Sequence, residues 1–213
     1  KDLIFKKTDF NIYKEDIPFF TDLLKTEPNA NKIIFKDINI FFKDKEDEVL
    51  FINKTKKTEF FYDSKNLKNV LISKNEIFKI PFKFSIKNDK FNKKIYSTFD
   101  SGKIRLNISN EIDYNNDLSG ILDILFVNKN TSLNYKIKKD SLVFNSEKSN
   151  NDYNGVIEFK PFYLLANFNY DGLSTKNLFN DDSIFIDLIK SEIVKNRNLN
   201  SNINFNIKNI TNI

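Results

Sequence analysis

The stretch Phe78-Lys79-Ile80-Pro81-Phe82-Lys83-Phe84-Ser85-Ile86 decides the fold. Phe78, Ile80, Phe82, Phe84 and Ile86 alternate with Lys79, Pro81, Lys83 and Ser85. Successive side chains on a strand point to opposite faces, so one face here is apolar and the other wet. A half-apolar strand of this kind implies an antiparallel sheet with one covered face.

The pattern recurs along the chain. Ile104, Leu106, Ile108 and Ile112 alternate with Lys103, Arg105, Asn107 and Glu111, with the polar Asn110 interrupting late. Leu133, Tyr135 and Ile137 alternate again, as do Phe162, Leu164, Ala166, Phe168 and Tyr170. Ile203, Phe205 and Ile207 alternate with asparagines. Less regular strands are expected at residues 33–42, 49–54, 58–63, 95–99, 119–127, 142–146 and 155–159, with turns at 43–48, 128–131 and 149–154. Strands in sequence without regular helices between them predict a meander rather than βαβ units. Pro81 and Pro161 are expected at an edge or a bulge, because proline cannot donate to a ladder. The apolar phase changes from Ile157 and Phe159 to Phe162 and Leu164, which predicts a bulge at Lys160 and Pro161.

Two helices are expected. Residues 14–25 hold Ile17, Phe19, Phe20, Leu23 and Leu24, with Pro18 tolerated in the first turn. Residues 181–196 open on Asp181 and Asp182, which suit a helix start, and place Ile184, Phe185, Leu188, Ile189 and Ile193 near one face. The expected fold is therefore mainly β: a curved antiparallel sheet or groove of sequential strands, with one or two short helices packed at its ends. The expected organisation is a single β-rich domain or segment: a helical or linker entry over 1–30, a meander over 33–170, a helix over 181–196 and a last strand over 199–208.

Composition narrows the chemistry. The 213 residues begin at Lys1 and contain no methionine, which reads as a segment of a longer protein. With no histidine there is no Ser-His triad, histidine base or histidine-bound metal, and with no cysteine there is no disulfide, thiol nucleophile or zinc cluster. Asp44, Glu46, Asp47 and Glu48 cluster in a turn, but their spacing lacks the bend glycine of an EF-hand, and interspersed lysine suggests solvated charge. Neither a GxGxxG nor a P-loop occurs. The expectation is no enzyme, no cofactor and no metal. The net charge of +5 raises the question of nucleic acid, yet the lysines are dispersed among 29 acidic residues, so no nucleic-acid partner is expected. No apolar run approaches the roughly 20 residues of a membrane span.

The stretch from Gly155 to Phe179, GVIEFKPFYLLANFNYDGLSTKNLF, carries a family resemblance. It resembles the C-terminal part of the AsmA-like domain of Gram-negative envelope proteins, in which a Lys-Pro-Phe-like bend leads into an alternating strand and a Gly-Leu element precedes a helix. Here these are Lys160-Pro161-Phe162, the run to Tyr170, and Gly172-Leu173 before Leu178. FKIPFKFSI, the following IYSTFDSGKIRLNI, and YKIKKDSLVFNS are also similar to the family's strand succession. The resemblance covers roughly residues 33–213. It implies kinship with AsmA, TamB and YhdP, whose long β-groove shields phospholipid acyl chains between the inner and outer membranes. It further implies a periplasmic location, a parent protein anchored in the inner membrane outside this segment, and no catalytic residues. Strand phase then suggests the groove lining: Phe82, Phe84, Leu106, Ile108, Leu122, Ile124, Tyr135, Leu164 and Phe168. The alternative is a structural or adhesion-like β-sandwich with a closed core and no ligand. The two differ in where the apolar face goes.

Overall fold

The computed structural model describes residues 2–16, 32–44, 46–113, 118–126, 129–146, 153–159, 162–170, 173–174 and 200–211. The chain is mainly β and mostly antiparallel. It divides into two compact units, Lys1–Lys103 and Ile104–Ile213.

In the first unit, β1 (Leu3–Lys6) and β2 (Asp9–Tyr13) lie successively along one edge of β3 (Ile33–Lys43), both parallel to it. From β3 the sheet runs antiparallel through β4 (Val49–Asp63), β5 (Lys68–Ile77), β6 (Ile80–Asp89) and β7 (Lys94–Ser101). A phase break crosses this sheet. Lys7 and Asp37 both adopt φ 51°, a left-handed conformation that a side chain disfavours. In β3 the apolar phase accordingly passes from Ile33 and Phe35 to Ile38, Ile40 and Phe42. The same break explains why β4 reads in sequence as two strands around residue 56. Lys56 is the extra residue of β4 against β5, where the register shifts between Thr55 and Lys57.

The opening stretch is not one strand from its first residue. Phe78 (φ 52°) and Lys79 (φ 64°) form the two-residue turn between β5 and β6, and the strand begins at Ile80. Positive φ at both central residues is the hairpin geometry whose twist matches the flanking strands. Pro81 is in an internal strand, not on an edge. It lies beyond the last β6–β7 rung at Lys83 and Asp100, so its missing N–H breaks no bond to β7.

The turns β4–β5 and β6–β7 share one construction. Asp63 accepts the N–H groups of Lys65 (3.0 Å) and Asn66 (3.2 Å), and the Asn66 amide at 2.8 Å. Asp89 accepts the N–H and side-chain amide of Asn92, each at 3.0 Å, and pairs with the Lys68 ammonium at 3.0 Å. The Asn92 N–H, the Asn92 amide and Lys68 hold the Asp89 carboxyl down at about 2. Its stabilising effect is thus present above the unfolded value of about 3.9 and is lost as pH falls through about 2. The melting temperature should drop as pH goes from neutral toward 2. Asp89→Asn should melt lower at neutral pH and lose part of that acid dependence. Equal pH profiles for parent and variant would refute this role.

In the second unit the path runs antiparallel from β8 (Leu106–Asp113) through β9 (Ser119–Phe126), β10 (Lys129–Ile137), β11 (Ser141–Ser146), β12 (Tyr153–Phe159) and β13 (Phe162–Tyr170). β13 then pairs in parallel with β15 (Asn200–Ile207), and β14 (Leu173–Ser174) pairs in parallel with β16 (Ile210–Thr211). The phase change near Pro161 is a connection between two antiparallel strands rather than a bulge, since Phe159 faces Phe162. Lys160 and Pro161 themselves lie outside the described residues. Ile104 precedes β8 and Lys129–Thr131 begin β10, against the sequence reading. Of the two expected helices, residues 14–16 form a 3-10 turn, and the rest of both lies outside the described residues.

Candidate functional site: the apolar faces

Ladder partners point to the same side of a sheet, so register assigns each side chain to a face. In the second unit one face gathers Leu106, Ile108 and Ile112 of β8 with Leu122, Ile124 and Phe126 of β9. Across β9 it continues to Leu133 and Tyr135, then to Phe144 and Leu142, and then to Gly155 and Ile157. It ends on Leu164, Ala166 and Phe168 of β13 with Ile203 and Phe205 of β15. All seven candidates of this unit, Leu106, Ile108, Leu122, Ile124, Tyr135, Leu164 and Phe168, therefore share one face. Six are half-buried and Tyr135 is buried. Phe168 stacks on Phe205 at 5.4 Å and tilts against Tyr153 at 5.6 Å.

Glycines level this face. Gly120 lies opposite Tyr135 and Gly155 opposite Phe144, with each ring lying over its glycine. A methyl at Gly120 would come within 2.5 Å of the Tyr135 Oη. The Tyr135 hydroxyl donates to Asn110 Oδ1 at 2.6 Å, so the interruption noted at Asn110 is bonded within the sheet. Burial pushes the Tyr135 phenol above its ordinary value.

The opposite face of this unit is mixed, with Ile121, Leu125 and the register row Val143, Val156 and Leu165 beside a polar row. Asn134, Asn145, Asn154, Asn167 and Asn204 stand in register across five strands. Asn204 donates to Asn167 at 2.9 Å, and Asn167 to Asn154 at 3.0 Å. These asparagines form a side-chain ladder across the strands.

The first unit differs. Phe82 and Phe84 share its apolar face, and Phe82 stacks on Phe99 at 4.8 Å. On the same face, toward the other edge of this unit's sheet, Phe5 stacks on Phe35 at 5.1 Å, with Phe10 edge-on to Phe35 at 5.6 Å. Between these clusters β4 and β5 carry a polar strip, since Phe82 pairs with Asn75 and Phe84 with Ser73. Asn75 Oδ1 accepts the Thr55 and Ser73 hydroxyls, both at 2.8 Å, and the Asn53 amide at 3.3 Å. Thr58 and Ser73 share a bond of 2.5 Å. Thr55, Ser73 and Asn75 are all buried. This polar patch interrupts the apolar face of the unit, which stays continuous along the register row Ile33, Phe60, Leu71 and Ile86. Sequence reading missed this because it assigned no strand to β5.

The acidic turn is occupied by its own neighbours. Asp44 accepts the N–H groups of Glu46 and Glu48 at 2.9 Å, and Asp47 takes the Tyr13 hydroxyl at 2.6 Å and Lys43 at 3.0 Å. The Tyr13 bond is the main cause holding the Asp47 carboxyl below its ordinary value.

Against protein-family models, curated proteins and solved structures, the chain has no match. Its faces are thus read on their own geometry. Within each unit the extensive strand contacts all run between ladder neighbours. Among the described residues, no group of His, Cys, Asp or Glu is placed to hold a metal ion.

Proposed function

We propose that this chain is a non-catalytic segment of an AsmA-like envelope protein whose apolar β-surface binds or conducts phospholipid acyl chains. The observation that carries the reading is the apolar face of the second unit, where the seven candidate positions, drawn from four strands, fall on one side of a run of seven paired strands. Each acyl methylene taken from water contributes roughly 0.8 kcal/mol, so a levelled apolar track holds a chain without a specific site. The buried polar patch of Thr55, Ser73 and Asn75 interrupts the apolar face of the first unit, so the second unit is the main acyl-binding surface in this reading. The parent would sit in the periplasm with its anchor in the inner membrane, and its cargo would pass between inner and outer membranes. Half-buried rather than sealed candidate side chains favour this reading over a closed, ligand-free sandwich.

Mass spectrometry of organic extracts from the purified protein, with photo-crosslinking to a diazirine-bearing phospholipid, tests the proposal. Phospholipid should co-purify, and labelling should map to peptides holding Leu122, Leu164 or Phe168. Leu106→Asp should fold and reduce labelling about tenfold or more, the equivalent of one or two lost apolar side-chain contacts. A lipid-free extract together with unlabelled peptides on this face would overturn the proposal.

A further inference from the structure

The end of the first unit that carries the β4–β5 and β6–β7 turns is built unlike the rest of its surface. Asp63, Lys68, Asp89 and Lys94 stand in register there, so the two hairpin tips are neighbours. Phe91 on one tip is 88% exposed, and Leu67 on the other is 58% exposed. A solvent-exposed phenylalanine beside a second exposed apolar tip is a costly arrangement for a surface that meets only water. Five lysines, Lys65, Lys68, Lys90, Lys93 and Lys94, accompany them, against the two aspartates. Both aspartates are turned inward: Asp63 takes the turn N–H groups and the Asn66 amide, and Asp89 takes those of Asn92 and the charge of Lys68. The outward-facing charge of the tips is therefore positive.

We propose that these paired tips dock on the surface of a membrane containing anionic lipid. Phe91 and Leu67 enter the interface, and Lys65, Lys90 and Lys93 meet the lipid phosphates. Apolar side chains projecting from a cationic rim match a bilayer's two layers: hydrocarbon below, negative headgroups above. A nucleic acid would use the lysines and could stack on Phe91, but it leaves Leu67 exposed to no purpose. Docking goes beyond the acyl-chain reading and can fail separately from it. Vesicle binding reports the tips, whereas crosslinking reports the apolar face of the second unit.

The chain has no tryptophan, so Phe91→Trp in the full 213-residue protein gives a single emission reporter. The probes are vesicles of phosphatidylcholine alone and of phosphatidylcholine mixed with phosphatidylglycerol. Emission should shift to the blue only with the anionic vesicles, and the shift should fade as salt rises. Leu125→Trp, on an exposed position of the other unit and on the face opposite its acyl-binding surface, should not shift. Phe91→Ser with Leu67→Ser should weaken vesicle sedimentation on the order of tenfold or more. Lys65→Glu with Lys93→Glu should do so by a similar factor and remove the preference for phosphatidylglycerol. An unshifted Phe91→Trp, an equal shift at Leu125→Trp, or vesicle binding indifferent to all four substitutions would overturn the proposal. So would tight binding to a single-stranded oligonucleotide that abolishes vesicle attachment without needing Phe91.

Discussion

Ala166→Asp should unfold the second unit, while Phe84→Asp should leave the first unit folded. Ala166 is 1% exposed and stands between Gly155 and Ile203 on the apolar face. A carboxylate there has no described polar side chain as ladder partner and no route to water. An unpaired buried charge costs several kcal/mol, a large part of a domain stability of about 5–15 kcal/mol. Phe84 is half-buried, and its ladder partners are Ser73 and Phe99. A shorter, charged side chain can turn toward solvent there, so the cost is mainly part of one phenylalanine's burial, about 1–2 kcal/mol. The measurement is thermal unfolding followed by far-UV circular dichroism. Phe84→Asp should show one β-type transition shifted down by several degrees, and Ala166→Asp should lose the strand signal of its unit at room temperature. Unfolding of both would make the face of the first unit a sealed core. Parent-like melting of Ala166→Asp would mean that its surroundings open far more than its burial indicates.

What the sequence could reveal follows from the period-two signal. Where both neighbours on a face are apolar, as in β13 from Phe162 to Tyr170, alternation gave the strand to the residue. In β5 the alternation fails for a physical reason. Asn69, Ser73 and Asn75 share the face of Leu71, while Val70 and Ile72 lie on the other. That strand is held by a hydrogen-bonded strip rather than by an apolar stripe, and no periodicity reports such a strip. The turns between β4 and β5 and between β6 and β7 were not named from sequence, although their residues are conventional. Asp and Asn at Asp63, Asn66, Asp89 and Asn92 mark their loops. Phe78 and Lys79 do not, because nothing in an aromatic and a lysine announces positive φ. Of the candidate surface, phase within each strand and the sequential order of a meander were legible, but which residues face one another across strands was not. Register supplied that, and it also revealed the Asn ladder and the buried polar patch of the first unit.

Gly155→Ala should be damaging, and the reason lies in cross-strand space. The backbone of Gly155 has no positive φ, so alanine is not excluded by conformation. An added methyl would instead collide with the Leu165 carbonyl oxygen and with the Phe144 ring that covers the glycine. The oxygen belongs to the β12–β13 ladder and cannot swing aside as a side chain can. Overpacking of this kind costs typically about 1–3 kcal/mol. For a chain of this size that corresponds to a fall in melting temperature of roughly 2–4 °C per kcal/mol. Gly102 is the control, because a methyl there meets nothing within 4 Å, and Gly102→Ala should melt as the parent does. A double-mutant cycle separates the two obstacles at Gly155. If the Phe144 ring is the main obstacle, Gly155→Ala should cost much less in a Phe144→Ala background than in the parent. If the Leu165 oxygen dominates, the two costs should add. Because the ladder oxygen is the less movable of the two, near-additivity is the expected result. A harmless Gly155→Ala would mean that Phe144 does not lie over the glycine, and that the levelled apolar face of the second unit is not built as described.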